Sequence, residues 1–206
     1  AALAFTNTGT ATSTAVVVWA LIEWLHRGKP TALGAATATV AGLVAITPAC
    51  GNVSPLGSMA VGGGVSVVCY LALTFLKPAF GYDDSLDAFG VHGMGGAWGA
   101  LASGIFATTL GAGIESNGAQ ILVQLKGIAF VAIFAPVMTF VILSVLKLVF
   151  GSLRVDPEAE AEGLDLSEHS EAAYTALSGG GSMAPIGASG HGMHASGATL
   201  AHSRAD

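Results

Sequence analysis

Charge placement constrains this chain more than any other feature. Across its first 150 residues, charged side chains fall almost entirely in short turns that separate five long apolar runs. Residues 1–25 carry a single acid, Glu23, near their end. A basic turn, His26-Arg27-Gly28-Lys29-Pro30, follows. Runs at residues 31–50, 58–76, 85–108 and 119–150 complete the set. Each is of the length needed to cross a hydrocarbon layer roughly 30 Å thick, and the last is long enough to tilt or project beyond it. The expected fold is all-α, a polytopic membrane bundle of five transmembrane helices. The Gly62-Gly63-Gly64 triplet fits that setting: in lipid the backbone must bond internally, and glycine permits close helix contact.

Lysine and arginine orient the bundle. Arg27 and Lys29 follow the first run, Lys77 follows the third, and Lys147 and Arg154 close the fifth, while the alternate turns have none. Basic loops stay in the cytoplasm, so the C-terminus is expected there and the first helix is expected to start outside. Only 10% of residues are charged, against about a quarter in soluble domains. The net charge of −6 does not point to nucleic acid. Cys50 and Cys69 lie in apolar runs and read as small buried residues rather than a disulfide. No secretory signal is visible, and the chain opens within an apolar stretch as if cut from something longer. Residues 151–177 read as an acidic, partly helical cytoplasmic region, and 178–206 as a disordered Gly/Ala/Ser/His-rich tail.

One stretch gathers polar chemistry at membrane depth: Asp83 to Gly96, DDSLDAFGVHGMGG. A histidine inside a span is costly unless it faces a cavity or a polar partner. His92 can relay a proton or hydrogen-bond a small ligand; the competing role is a bond to a neighbouring helix. Helical spacing places Ala88 and Gly96 one turn either side of it, with Phe89 and Gly95 beside it. Asp84 reads as the N-cap of the fourth helix with Asp87 at N3, in preference to an ion site. Glu23 is expected to pair with Arg27 four residues on, and Lys126 to snorkel to the outer interface. Thr47-Pro48 either exposes a hydroxyl and a freed carbonyl to a cavity or simply ends its helix. His191, His194 and His202 have no specific metal spacing and read as solvated tail. No phosphate loop, nucleophile–base pair or Cys/His metal signature is present, so neither an enzyme nor a cofactor is expected.

The DDSLDAFGVHGMGG stretch resembles the second-histidine motif of the ammonium transporter (Amt/Rh) family, in its Amt branch. Ala4-Phe5-Thr6-Asn7-Thr8, Glu23 to Gly28, Ala41-Gly42-Leu43-Val44, Thr47 to Gly51, Leu122-Val123-Gln124-Leu125, Leu153-Arg154-Val155 and Glu162-Gly163-Leu164-Asp165 to Tyr174 follow in family order. The resemblance implies an eleven-helix fold of two inverted halves, trimeric, with a pore in each subunit. The five helices here then correspond to the seventh to eleventh. It implies that His92 pairs with a histidine of the other half along a hydrophobic pore, hydrogen-bonding ammonia and relaying a proton. Ala88 and Thr47 match positions near that pore. The partner histidine, a phenylalanine gate and an outer cation–π site belong to the family's first half, so this chain is expected to be a fragment. The implied setting is the cell membrane, and the implied partners are ammonium or ammonia, the lipid bilayer, the homotrimer and a PII-type regulatory protein at the cytoplasmic face. The alternatives are an ammonium sensor signalling to a cytoplasmic partner, and an inert helical fragment.

Overall fold

The computed structural model describes residues 1–110 and 117–171. Residues Ala1–Gly151 form one compact unit, and a second unit begins at Ser152. The first unit is a helical bundle. Among the described residues there is no strand, only an isolated bridge between Val53 and Ala107.

Helix α1, Ala2–Arg27, is rich in threonine yet carries no unpaid hydroxyl at Thr10, Thr12 or Thr14. Each donates to the carbonyl four residues back, at 2.8 Å. That bond lets a hydroxyl sit in an apolar medium. Gly28 ends the helix in the left-handed conformation, with φ 80°, its N–H returning to the Trp24 carbonyl. Helix α2, Ala32–Ile46, starts at the N-cap Thr31, whose hydroxyl accepts from Gly34 N at 2.8 Å. It ends four residues before the expected limit at 50. Pro48 has no N–H to continue the ladder, and the chain tightens into a turn in which Thr47 N bonds to Val44 O and Ala49 N to Ile46 O.

Helix α3 begins at Pro55, after the cap Ser54, and runs to Phe80 rather than ending at 76. It passes through a π-helical turn, Ala72–Leu76. Its basic end therefore remains helical through Lys77, and Pro78 falls in the first turn of the resumed helix, where a missing N–H is tolerated. Helix α4 opens as a second π-helical turn, Phe89–Gly93, and continues as Met94–Phe106. Helix α5, Asn117–Phe150, is 34 residues long. At 1.5 Å per residue it spans about 51 Å.

The core lies between α1, α2 and α3, and it is built from small residues: Ala11, Ala15, Ala38, Ala41, Ala45, Val61 and Val65 are all fully buried. Gly62 brings α3 against the α1 backbone, where a Cβ would collide with the Ala11 carbonyl. The remaining ties are hydrogen bonds from side chains to backbone carbonyls. Ser66 donates to Ala15 O at 2.7 Å and Trp98 Nε1 to Val61 O at 2.9 Å. Buried Asn7 donates to Cys50 O and Val53 O, both at 2.8 Å. Asn117 fixes the start of α5 by donating to Gly104 O and Ala107 O. Beyond that joint α5 buries no residue. Together with α3 it is long and apolar enough to cross a membrane.

The second unit contains two short helices, α6 (Pro157–Glu162) and α7 (Leu164–Ser167). Arg154 Nη2 donates to Glu160 Oε1 at 2.6 Å. That bond and the guanidinium charge hold the Glu160 carboxyl below the usual glutamate range. Most of the stretch between the fourth and fifth apolar runs, and the whole of the tail read at 178–206, lie outside the described residues.

Candidate functional site

His92 sits in the π-helical turn that opens α4. The turn is closed by the Met94 N–H, which bonds back to the Phe89 carbonyl five residues earlier. A π-turn adds one residue to the helical cycle and is frequently found at functional sites. It changes which residues share a face. His92, Ala88, Phe89 and Gly93 are all exposed. Gly95, expected beside the imidazole, is instead buried against Cys69, Val65 and Val44. Among the described residues no hydrogen bond is made by the His92 ring.

Two contacts set the level of His92 against α2. Gly95 meets Val44, and Gly99 meets the Ala45 backbone. Thr47 follows Ala45 at the end of α2, so it lies further along the bundle than His92, toward the Ala107 end of α4. Its side chain is exposed, with the hydroxyl donating to Leu43 O at 2.7 Å. The donor is thus used, but the oxygen keeps lone pairs that can accept from an N–H. Thr47, Ala88 and His92 all stand on exposed surface of this unit rather than around an enclosed cavity.

The acids divide their work differently from the sequence reading. The Asp84 carboxylate accepts from Ala88 N at 2.8 Å and Phe89 N at 2.9 Å. The helix starts later than residue 85, so Asp84 acts from a turn upstream rather than as the adjoining N-cap. Asp87 is not at N3. It takes a φ of 57°, a left-handed conformation that aspartate tolerates better than most residues, and it forms an ion pair with Lys77. Glu23 is also reassigned. It is 3% exposed and accepts from Thr31 N at 2.8 Å and the Thr31 hydroxyl at 3.1 Å, capping the next helix rather than pairing with Arg27. Arg27 lies over the Tyr70 ring, 5.8 Å from its centre, and Tyr70 Oη is 2.7 Å from His26 Nδ1.

Two cavities lie elsewhere in this unit. One of ≈550 Å³ opens at the basic end, with Trp19, Glu23, Arg27, Tyr70, Lys77 and Asp87 on its lining. The other, ≈180 Å³, is lined by Pro48, Asn52, Ser103, Gln120 and Gln124 among others. His92 borders neither. Sequence reasoning missed Tyr70 and used Lys77 only for orientation. The one available signal was the pair of opposite charges flanking a single short turn. Among the described residues no group of three or more His, Cys, Asp or Glu side chains could hold a metal.

Residues 1–174 match the family described as Ammonium Transporter Family. The ammonium transporter of Aquifex aeolicus (strain VF5) is 48% identical over 178 residues, covering 84% of this chain and 42% of that protein. The ammonium transporter of Bacillus subtilis (strain 168) is 46% identical, covering 83% of this chain and 44% of that protein. Among solved structures, a sensor Amt protein superposes with a TM-score of 0.75 at 32% identity, over 81% of this chain and 42% of that one. Candida albicans Mep2 gives a TM-score of 0.67 at 30% identity, over 76% of this chain and 37% of that one. The chain spans about two fifths of the length of the curated relatives it matches.

Proposed function

The chain belongs to the ammonium transporter family, a family of membrane proteins named for transport rather than for an enzymatic reaction, and from that premise we propose that it forms one wall of a path that conducts ammonium across the membrane as neutral ammonia. His92 is the group on that wall that hydrogen-bonds the passing molecule and relays its proton. One observation carries the reading: an imidazole within an apolar run, presented on exposed surface by a π-helical turn and without a hydrogen-bond partner among the described residues. A histidine is expensive in hydrocarbon unless it serves a polar occupant.

The chemistry follows from the surroundings. Ala88, Gly93 and the edge of Phe89, itself 52% exposed, give a narrow and mostly apolar wall. Such a wall rejects a bare cation, because burying unpaired charge costs far more than burying a neutral molecule. An imidazole has one donor and one acceptor nitrogen when neutral, so it can hold ammonia and pass a proton within the physiological range. Thr47 is a second lining residue, further toward the end of α2. The opposite wall, including a second histidine, comes from family sequence outside the region this chain matches. The family's trimeric assembly, a cell-membrane location with the C-terminus in the cytoplasm, and a PII-type protein docking at the cytoplasmic face belong to the same proposal. The sensor alternative is not favoured, because the relatives of highest identity given above are named as transporters.

The test is uptake of labelled methylammonium by the full-length protein in cells lacking ammonium uptake. His92→Ala is expected to reduce uptake about tenfold or more, equivalent to roughly 1.4 kcal/mol of barrier, or to admit potassium. Uptake and ion selectivity both unchanged would remove His92 from the path.

A further inference from the structure

The π-turn that carries His92 does not stand alone. It is touched by one side chain from the π-turn of α3, Ala72–Leu76, which is closed by the Lys77 N–H returning to the Ala72 carbonyl. The two turns meet at Leu73 and Gly90. A Cβ on residue 90 would collide with Leu73 Cδ2, so an added methyl there must push the Leu73 side chain aside.

The same two helices are joined just outside the turns. Lys77 Nζ donates to the Asp84 carbonyl at 2.6 Å and forms the ion pair with the Asp87 carboxylate. Asp84 then binds the N–H groups of Ala88 and Phe89, and the Asp87 carbonyl receives Val91 N at 2.9 Å. Tyr82 adds an edge-on contact to the Phe89 ring, with centres 5.7 Å apart. On the far side of His92, α4 is pinned by Gly95 against Val44 and Val65, by Gly99 against Ala45, and by the Trp98 N–H on Val61 O.

His92 therefore lies between two anchors, and the chain between them holds one residue more than an α-helix would. An α-helix turns about 100° per residue. If the upstream anchor slipped by one residue and the turn relaxed to α, the residues before Gly95 would rotate by about that angle. The imidazole would then leave the exposed face it now occupies, and Ala88 and Gly93 would turn with it. We propose that Lys77, Asp84 and Asp87 are positioning residues: a latch from the end of α3 that fixes the π-helical register and so aims His92 into the path. This rests on the reading of His92 as the path residue, and it assigns to the polar turn a task beyond helix capping.

The experiment uses the full-length transporter with histidine labelled for ring NMR, read alongside methylammonium uptake and exclusion of potassium. Lys77→Met is expected to move the His92 ring signals and to lower uptake by up to about 100-fold, the scale at which small misplacements of a working group act. Lys77→Arg, which keeps the charge, is expected to restore both. If Lys77→Met fails to yield folded protein, Gly90→Ala makes the same test from the packing side. It is expected to move the His92 signals, and Leu73→Ala in the same chain to bring them back by making room. Unmoved His92 signals in folded Lys77→Met or Gly90→Ala protein overturn the latch, whether or not uptake falls. Moved signals that Lys77→Arg does not restore also overturn it. Loss of the functional reading looks different: His92→Ala transports normally, while the ring signals still report on the latch.

Discussion

Glu23 shows how far a single residue can be read before its neighbours are known. It lies four positions before Arg27, and the helical i, i+4 rule gives a pair. That rule sees only one helix. In the fold Glu23 is 3% exposed and crosses the turn to cap α2 through Thr31 N and the Thr31 hydroxyl. Two side chains the rule did not consider, Thr31 and Tyr70, take over the two partners: Tyr70 receives the Arg27 guanidinium over its ring. A buried carboxylate with these donors is worth more than a surface pair, and removing it takes away the acceptor of the Thr31 N–H. Glu23→Ala is expected to lower stability by about 2 kcal/mol, in the range for hydrogen bonds to charged groups. Arg27→Ala should cost less than about 1 kcal/mol, the scale of an exposed cation–π contact. Thermal unfolding of the detergent-solubilised full-length protein would check both. Equal losses would return Glu23 to its pairing with Arg27. His92 stands out in the sequence for a different reason: an ionisable group in an apolar run is anomalous whatever its neighbours are.

At the scale of elements, apolar run length located the helices, and local geometry then moved their ends. Pro48 stops α2 at Ile46, while Pro78 does not stop α3, because it falls where a new helical turn begins and its missing N–H costs little. The two π-turns were not visible, since hydropathy carries no mark of one inserted residue. They touch where the Leu73 side chain lies against Gly90. The close approach of α1 and α3 was foreshadowed by the Gly62-Gly63-Gly64 triplet, but only the fold distinguishes its members. Gly62 abuts the Ala11 backbone, while Gly63 meets only side-chain methyls of Val18 and Thr14 at 3.6 Å and beyond. Gly62→Val is therefore expected to destabilise the bundle by about 3 kcal/mol, the upper part of the overpacking range. Gly63→Ala should be tolerated. Comparing the melting temperatures of the two purified variants separates them, and similar values would show that the helices do not meet at Gly62.

For the whole molecule, the informative surface is the one this unit leaves open. His92, Thr47 and Ala88 lie on it, and α5 buries none of its 34 residues. Lipid can cover the apolar part of such a surface, because hydrocarbon tails and leucine side chains are alike in polarity. It cannot satisfy an imidazole. The polar groups of the exposed wall therefore call for a second protein wall or a water-filled path. The matched relatives are more than twice the length of the matched region and have the sequence to supply that wall. A one-sided wall also lacks the exclusion that selectivity needs, since a dry, enclosed path is what makes a bare cation costly. Expressed alone in cells lacking ammonium uptake, this chain is thus expected to accumulate no methylammonium above the empty-vector level. Expressed with the remaining family sequence, on the same or a separate polypeptide, it should restore uptake, and His92→Ala should then reduce it. Uptake by the chain alone would mean that copies of it close the path between themselves, and the missing wall would have to be sought in a second copy of α4.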